Sequence, residues 1–115
     1  MKKLLVVLLA IFLTSCNPIP NTGDKLTCDS YATQDNVEKF ILIINDEEPV
    51  YSEAITVDDG TTLYYDLYEI QEGINYLIIR AVDKDGNESG SSYVDIEKIC
   101  QGLRCSYKIL DQGVV

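Results

Sequence analysis

The sequence contains no histidine and no tryptophan. Histidine is the commonest metal ligand and the side chain that most often acts as a general base near neutral pH. A serine or cysteine nucleophile would therefore depend on Lys, Asp or Glu for its activation. The sequence does not distinguish any two acidic residues as an acid–base pair. We therefore expect a protein that is not an enzyme and that uses no metal ion and no cofactor.

Basic residues are scarce, since nine Lys and Arg stand against 19 Asp and Glu, for a formal net charge of −10. The acidic residues are spread along the chain rather than gathered in one block. Such a surface repels nucleic acid and anionic lipid headgroups. The composition argues against direct binding of either, and it favours solubility or, alternatively, a cationic partner or divalent ions.

Long hydrophobic runs are limited to one, the uncharged residues 4–13 that follow Met1-Lys2-Lys3. As a helix this run would cover about 15 Å, roughly half of the hydrocarbon core of a bilayer. It has no polar face with which to lie on the surface of a domain. A basic start, a short apolar segment and small residues after it are typical of a secretory signal peptide.

The run ends in LTSC, residues 13–16, which resembles the lipobox of bacterial lipoproteins: an aliphatic residue, two small residues and a cysteine. The resemblance implies that residues 1–15 are removed and that Cys16 carries diacylglycerol. It implies a protein anchored to a membrane of the cell envelope. Asn17 resembles the pattern of outer-membrane lipoproteins, if the organism is Gram-negative. The alternative is an ordinary signal peptide with a chance cysteine.

Removal of the signal peptide would leave 100 residues, enough for one domain with one core. Loss of the two N-terminal lysines would bring the net charge to −12. Residues 16–25 are rich in proline and polar residues and are predicted to form a lipidated tether. We expect the domain at 26–100. Residues 101–115 form a C-terminal tail that either adds an edge strand or trails free.

The domain sequence is organised as short strands separated by turn residues. Strands are predicted at 26–32, 37–44, 50–57, 61–70, 75–83 and 89–99. The continuous apolar run at 37–44 predicts a central strand covered on both faces. No segment shows a sustained helical period. Strands at regular intervals are typical of a β-sandwich, so we predict an all-β fold.

The segment RAVDKDGNESGSS, residues 80–92, resembles strand F, the F–G hairpin and strand G of a fibronectin type III domain. LYEIQEGIN, residues 67–75, resembles strand E and the E–F corner. The resemblance implies a single fibronectin type III or immunoglobulin-like β-sandwich with strands in the order B, C, C′, E, F and G. LTCDSY, residues 26–31, resembles strand B of fibronectin-like domains in bacteriophage proteins, which suggests a prophage origin as a second interpretation.

The strongest predicted strand can face the core in two registers, because a slip of one residue exchanges its faces. One register places Tyr76 at the corner position that a tyrosine occupies in the family, and it buries Arg80. The other turns Leu77 and Ile79 inward and leaves Arg80 in water. Charged side chains are rarely buried without a partner. We therefore predict the second register, with Asn75 at the tyrosine position.

The four cysteines leave an odd number if Cys16 carries lipid, so one of the others is free or pairs between molecules. We predict a disulfide between Cys100 and Cys105, with Gly102 easing the bend. A Cys28–Cys100 disulfide is the alternative. Three thiols without histidine form a poor zinc site.

The segment DKDGNE, residues 83–88, resembles part of a calcium-binding loop. An EF-hand needs glycine at the sixth position and glutamate at the twelfth. Here glycine is fourth, and the twelfth residue is Val94. We therefore interpret this segment as a hairpin turn.

Tyr64 and Tyr68 alternate with apolar residues and are predicted to lie on an exposed strand face. Tyrosine favours interfaces because it is large, stiff and half polar. These two residues are the candidate contact surface for a protein partner that the sequence does not identify. The predicted function is that of a small, lipid-anchored, extracytoplasmic lipoprotein with a non-catalytic binding or structural module. The alternative is a prophage-encoded surface lipoprotein that alters the host envelope, for example by superinfection exclusion.

Overall fold

A computed structural model of the protein describes residues 15–16, 25–29, 31–57 and 60–115. The predictions for the signal peptide and for most of the tether lie outside these residues. The described part of the chain consists of strands and two short 3-10 helices, at Thr33–Asp35 and Leu67–Glu69. In that part, no helix has the length and hydropathy needed to cross a membrane.

Nine strands follow one another along the described chain. They are β1 (Lys25–Leu26), β2 (Val37–Ile44), β3 (Val50–Glu53), β4 (Ile55–Val57), β5 (Gly60–Thr62), β6 (Tyr65–Asp66), β7 (Gly73–Asp83), β8 (Ser92–Gln101) and β9 (Arg104–Val114). The described residues form strands and only two short 3-10 helices, which confirms the prediction of an all-β fold.

A five-stranded antiparallel sheet in the order β3-β2-β7-β8-β9 forms the body of the protein. Two small sheets, β1-β6 and β4-β5, contain the remaining strands. Leu26, Leu63 and Leu67 belong to the same buried cluster as the side chains of the large sheet. The small sheets and their connections therefore cover one face of the large sheet, which we call the inner face.

Strand β2 has the predicted bounds, but it is not covered on both sides. Phe40 and Leu42 are fully buried, whereas Ile41 and Ile43 are only half-buried. The physical reason is that an antiparallel sheet can leave one face in water, while the continuous apolar run had suggested a two-sided burial.

Strand β7 confirms the predicted register. Leu77, Ile79 and Ala81 are at most 1% exposed. The side chain of Arg80 is 42% exposed, and its Nη1 lies 3.4 Å from Oε1 of Glu88. Hydration of the guanidinium thus decides which face of the strand meets the core.

The segments predicted as strands at 50–57 and 61–70 are each divided. The first changes sheets at Ala54, so that β3 pairs with β2 and β4 pairs with β5. The second becomes β5, β6 and the 3-10 helix that ends at Glu69. Both predictions of a single strand were wrong, because sheet membership depends on distant partners rather than on local alternation.

The predicted strand at 26–32 is also interrupted after β1. Tyr31 is buried and exchanges backbone hydrogen bonds with Thr61, of 2.7 and 2.9 Å. Ala32, the next residue, is only half-buried. A Cβ on Gly60 would lie 1.7 Å from the Tyr31 carbonyl oxygen, so glycine is required for this close approach.

Strand β9 answers the question left open for residues 101–115. It forms an edge strand along the whole of β8, with a register shift opposite Asp95 and Ile96. Tyr107 and Ile109 pack against the margin of the core. The C-terminal segment is therefore part of the sheet and not a free tail.

Candidate functional site

Cys16, the predicted lipid-attachment residue, lies in the core and is bonded to Cys28 in a disulfide. Its backbone carbonyl accepts a hydrogen bond from Oγ of Ser92, the first residue of β8. Ser15 lies beside Gly90, where an added Cβ would approach its Oγ to 3.3 Å. Residues 15–16 are thus docked against the start of β8.

The sulfur of Cys16 can be part of a thioether or of a disulfide, but not of both. The structure holds the disulfide, whereas the lipobox resemblance implies the thioether. Cys28 is enclosed by Thr62, whose Oγ1 donates to the Cys28 carbonyl at 2.7 Å and accepts from its N–H at 3.2 Å. The even number of cysteines was the sequence signal for a second pair.

Cys100 and Cys105 form a disulfide across the β8–β9 hairpin, where they stand directly opposite each other. Gly102 in the connecting turn has φ +65°, a left-handed conformation that glycine adopts without cost. Cys28 is engaged elsewhere, so the alternative pairing of Cys28 with Cys100 does not occur in this structure.

Tyr64 and Tyr68, the predicted contact residues, are 46% and 70% exposed. Each ring lies near a lysine of its own chain: Nζ of Lys25 is 5.9 Å from the Tyr64 centroid, and Nζ of Lys98 is 5.0 Å from that of Tyr68. Cation–π contacts of this kind stabilise the resting surface. The two tyrosines are therefore accessible but already partnered.

Lys98 gives Tyr68 a structural role. Its side chain is buried, and Nζ donates to the carbonyl oxygens of Tyr68 and Ile70, both at 2.8 Å. The ring of Tyr107 lies on the same ammonium group at 5.9 Å. The Lys98 ammonium group loses its hydration on burial. Two carbonyl oxygens at the end of the second 3-10 helix and two aromatic rings replace that water.

A larger exposed surface, missed by the sequence analysis, lies on the outer face of the five-stranded sheet. We call it the outer ridge, and it consists of Tyr51, Ile41, Ile43, Ile78, Tyr93, Tyr76 and Ile74. The most exposed of these are Tyr51 at 62%, Tyr76 at 58% and Ile74 at 48%. Exposed apolar side chains that adjoin one another are typical of interaction sites.

Tyr93 is held flat at the end of the outer ridge nearest β9. A Cβ on Gly113 would lie 3.0 Å from its Cε1, so the ring covers this glycine. Its hydroxyl donates to Oδ2 of Asp111 at 3.2 Å. This hydrogen bond, with the nearby carboxylate charge, raises the pKa of Tyr93 above its ordinary value. The ring position therefore depends on β9, whose pairing the sequence had left open.

Two carboxylates border the outer ridge beside Tyr93. Asp95 stands directly opposite Asp111 across β8 and β9, and it is also opposite Tyr76 on β7. No ion pair of either carboxylate is found among the described residues. The ridge is thus acidic at the side of β9, whereas Arg80 on β7 stands beside Ile41. At the side of β3, Nζ of Lys39 lies 5.1 Å from the Tyr51 ring centroid.

Asp83, the first residue of the calcium-like segment, stabilises the turn that follows it through hydrogen bonds. Its carboxylate accepts the backbone N–H groups of Asp85 and Asn87, at 2.9 and 2.8 Å, and the side-chain amide of Asn87 at 3.1 Å. Burial acts to raise the pKa of Asp83, but the hydrogen bonds outweigh it and lower the pKa. In the described part of the chain, no three metal-ligating side chains converge.

A cleft of about 280 Å³ lies between the β2–β3 turn and residues 65–71. Glu47, Glu48 and Glu69 are among the side chains that line it, with no basic residue. The lining of the cleft is therefore acidic.

The comparisons with known proteins give no match: none with a family model, none with a curated protein and none with a solved structure. The functional assignment therefore rests on the residues of this chain.

Proposed function

We propose that this protein is a small lipid-anchored lipoprotein of the cell envelope, whose domain is a non-catalytic, fibronectin type III-like module for binding. One observation carries the binding role: the outer ridge brings seven apolar and aromatic side chains together on one face of the sheet, and three of them, Tyr51, Tyr76 and Ile74, are exposed. A membrane anchor and an exposed contact face together suit a protein that holds a partner at a surface.

The strand arrangement supports the fibronectin-like part of the proposal. The order β3-β2-β7-β8 corresponds to C′-C-F-G, and the pair β1-β6 corresponds to B and E. Asn75 occupies the corner position and donates to the carbonyls of Gln71 and Gly73, at 2.8 and 3.1 Å. The corner tyrosine of that family makes a similar link to the backbone upstream. Strand β9 is an addition to the family pattern.

The lipid anchor requires that Cys16 release Cys28. Each buried acyl CH₂ contributes about 0.8 kcal/mol, so two or more acyl chains hold a domain at the membrane for long periods. In the lipidated form Cys28 keeps a thiol that packs as a small apolar side chain. The thiol count of the mature protein therefore distinguishes the two forms.

The test is the intact mass of the protein extracted from membranes, alkylated before and after reduction. We expect residues 16–115 plus a diacylglycerol-based lipid, with one alkylated thiol before reduction and two more after it. The Cys16→Ser variant is the control and should carry no lipid. A mature chain without lipid, with no thiol before reduction and four after it, would contradict the anchor and indicate an ordinary secreted protein.

A second candidate function is a prophage-encoded surface lipoprotein that alters the host envelope. The observation that favours it is LTCDSY, residues 26–31, with its resemblance to bacteriophage domains. Expression in a susceptible host should lower the plating efficiency of an infecting phage, and the Cys16→Ser variant should not. Equal plating with and without the protein, over a panel of phages, would count against this candidate.

A further inference from the structure

We infer that the outer ridge and its acidic border bind a protein segment that presents arginine beside apolar side chains. The inference rests on the proposed binding function and names the chemistry of the partner. It concerns a surface on strands β2, β3, β7, β8 and β9, away from the predicted contact residues Tyr64 and Tyr68.

The outer ridge is continuous across neighbouring strands of the sheet. Ile41 stands opposite Tyr51 on one side and Arg80 on the other. In the next row, Ile78 stands between Ile43 and Tyr93. Side chains directly opposite each other on one face lie about 5 Å apart, so the two rows form one surface.

Strand propensity alone does not account for the apolar residues of this surface. Isoleucine and tyrosine favour strands, but threonine does so equally without exposing a large apolar side chain. The solvent face of an antiparallel sheet is ordinarily polar. The exposed side chains of Tyr51, Tyr76 and Ile74, next to half-buried isoleucines on the same face, therefore point to a surface that is covered by a partner.

The acidic border of the ridge, formed by Asp95 and Asp111, favours a cationic partner. Like charges directly opposite each other destabilise a sheet, and Asp95 and Asp111 are so placed. Tyr93 donates only one hydrogen bond to this pair, through Oδ2 of Asp111. A guanidinium placed there would offset the repulsion, hydrogen-bond to both carboxylates and stack on a tyrosine ring.

The net charge, −12 once residues 1–15 are removed, also favours a basic partner over a second copy of the chain. A second copy of the chain would bring the same acidic border and the same net charge, so self-association is opposed by long-range repulsion. A basic segment is attracted instead, and apolar residues beside its arginine would cover the isoleucines of the ridge.

The test uses a random-peptide library displayed on phage, selected on the purified mature protein. We expect the enriched peptides to combine arginine with apolar residues. A synthetic copy of an enriched peptide should bind about tenfold more weakly to the Asp95→Asn and Tyr76→Ser variants. The Leu103→Ser variant, which removes a fully exposed apolar side chain in the β8–β9 turn, is the control and should bind as the wild type does.

A stability measurement separates lost binding from lost folding. Asp95→Asn removes the repulsion from Asp111, so its urea midpoint should be equal to or higher than that of the wild type, even though it binds less well. Binding should also weaken as salt is raised, because Asp111 is exposed and Asp95 is only half-buried.

Three outcomes would overturn the inference: enriched peptides without arginine, binding unaffected by Asp95→Asn and Tyr76→Ser, or a stable dimer that Ile78→Ser dissociates. The last would identify a second copy as the occupant. Failure of the lipid anchor appears separately, in the mass of the mature chain, and leaves the peptide result to be interpreted on its own.

Discussion

The two faces of the five-stranded sheet are built from alternate residues of the same strands, and both are rich in isoleucine and aromatic side chains. Ile79 is fully buried, while its neighbour Ile78 is half-buried on the outer ridge. Phe40 is fully buried, while Ile41 beside it is not. The difference shows that hydrophobicity alone does not place a residue in the core; the small sheets cover one face only.

The largest effect is expected on the inner face, at Phe40. Replacement by alanine removes a fully buried ring that contacts Tyr31 and should cost about 3–5 kcal/mol of unfolding free energy. A domain of this size has only about 5–15 kcal/mol in total. Urea denaturation measures the loss. The adjoining Ile41→Ala should cost under about 1 kcal/mol, and equal losses would contradict the assignment of the two faces.

A matched pair on β7 sharpens the same comparison. Ile79→Ala should cost about 2–5 kcal/mol, because the cavity forms inside the core. Ile78→Ala has the same chemistry on the outer ridge and should cost under about 1 kcal/mol. Thermal melting of the two variants under the same conditions is sufficient. A larger loss for Ile78→Ala would mean that the outer face is covered within the folded chain.

Asn75 tests the polar end of the inner face. Its Oδ1 accepts from the Asn45 side-chain amide at 3.0 Å, and its own amide donates to the Gln71 carbonyl. Asn75→Ala leaves these part-buried groups without their partner and should cost about 1–2 kcal/mol in urea denaturation. Gln71→Ala keeps the backbone carbonyl and is the control. If Gln71→Ala lowers the unfolding free energy as much as Asn75→Ala does, the stability of this corner does not depend specifically on the Asn75 hydrogen bond.

The Cys100–Cys105 disulfide should contribute less. It closes a loop with a sequence separation of only 5, for which loop entropy predicts about 2 kcal/mol at most. The hairpin register already holds β8 against β9, so the double replacement by serine should cost about 1 kcal/mol. Denaturation of the double variant, compared with the oxidised wild type, checks this value. A loss well above it would mean that β9 depends on the disulfide for its pairing.

The smallest effect concerns the pH dependence at the far end of β7. The pKa of Asp83 is lowered in the folded protein, so its ionised form stabilises the fold above the pKa of the unfolded chain, near 4. That stability is lost as pH falls through the lower, folded pKa. The difference in urea midpoint between wild type and Asp83→Asn should therefore shrink from pH 7 to pH 3. A constant difference would rule out this contribution.

Sequence reasoning succeeded where the deciding physics is local. The bounds of β2 follow from one apolar run between two turns, and Asn45 and Asp46 form the second of these with positive φ values. The register of β7 follows from the hydration of Arg80. Such features depend on a few neighbouring residues, which the sequence places side by side.

Sequence reasoning failed where the partner is distant. The division of residues 50–57 at Ala54 depends on whether β2 or β5 is the neighbouring strand. The Cys16–Cys28 disulfide depends on the docking of Cys16 against Ser92, 76 residues away. Neither pairing has a local signal.

The sequence by itself determined the all-β class, the bounds of β2 and the core-facing side of β7, because alternation and the cost of burying a charge act along a single strand. Only the tertiary structure decided which face of the sheet is covered, which strand β9 pairs with and which cysteine forms a disulfide with Cys16. These depend on contacts between segments far apart in the chain, and their free energy becomes available only when the segments come together.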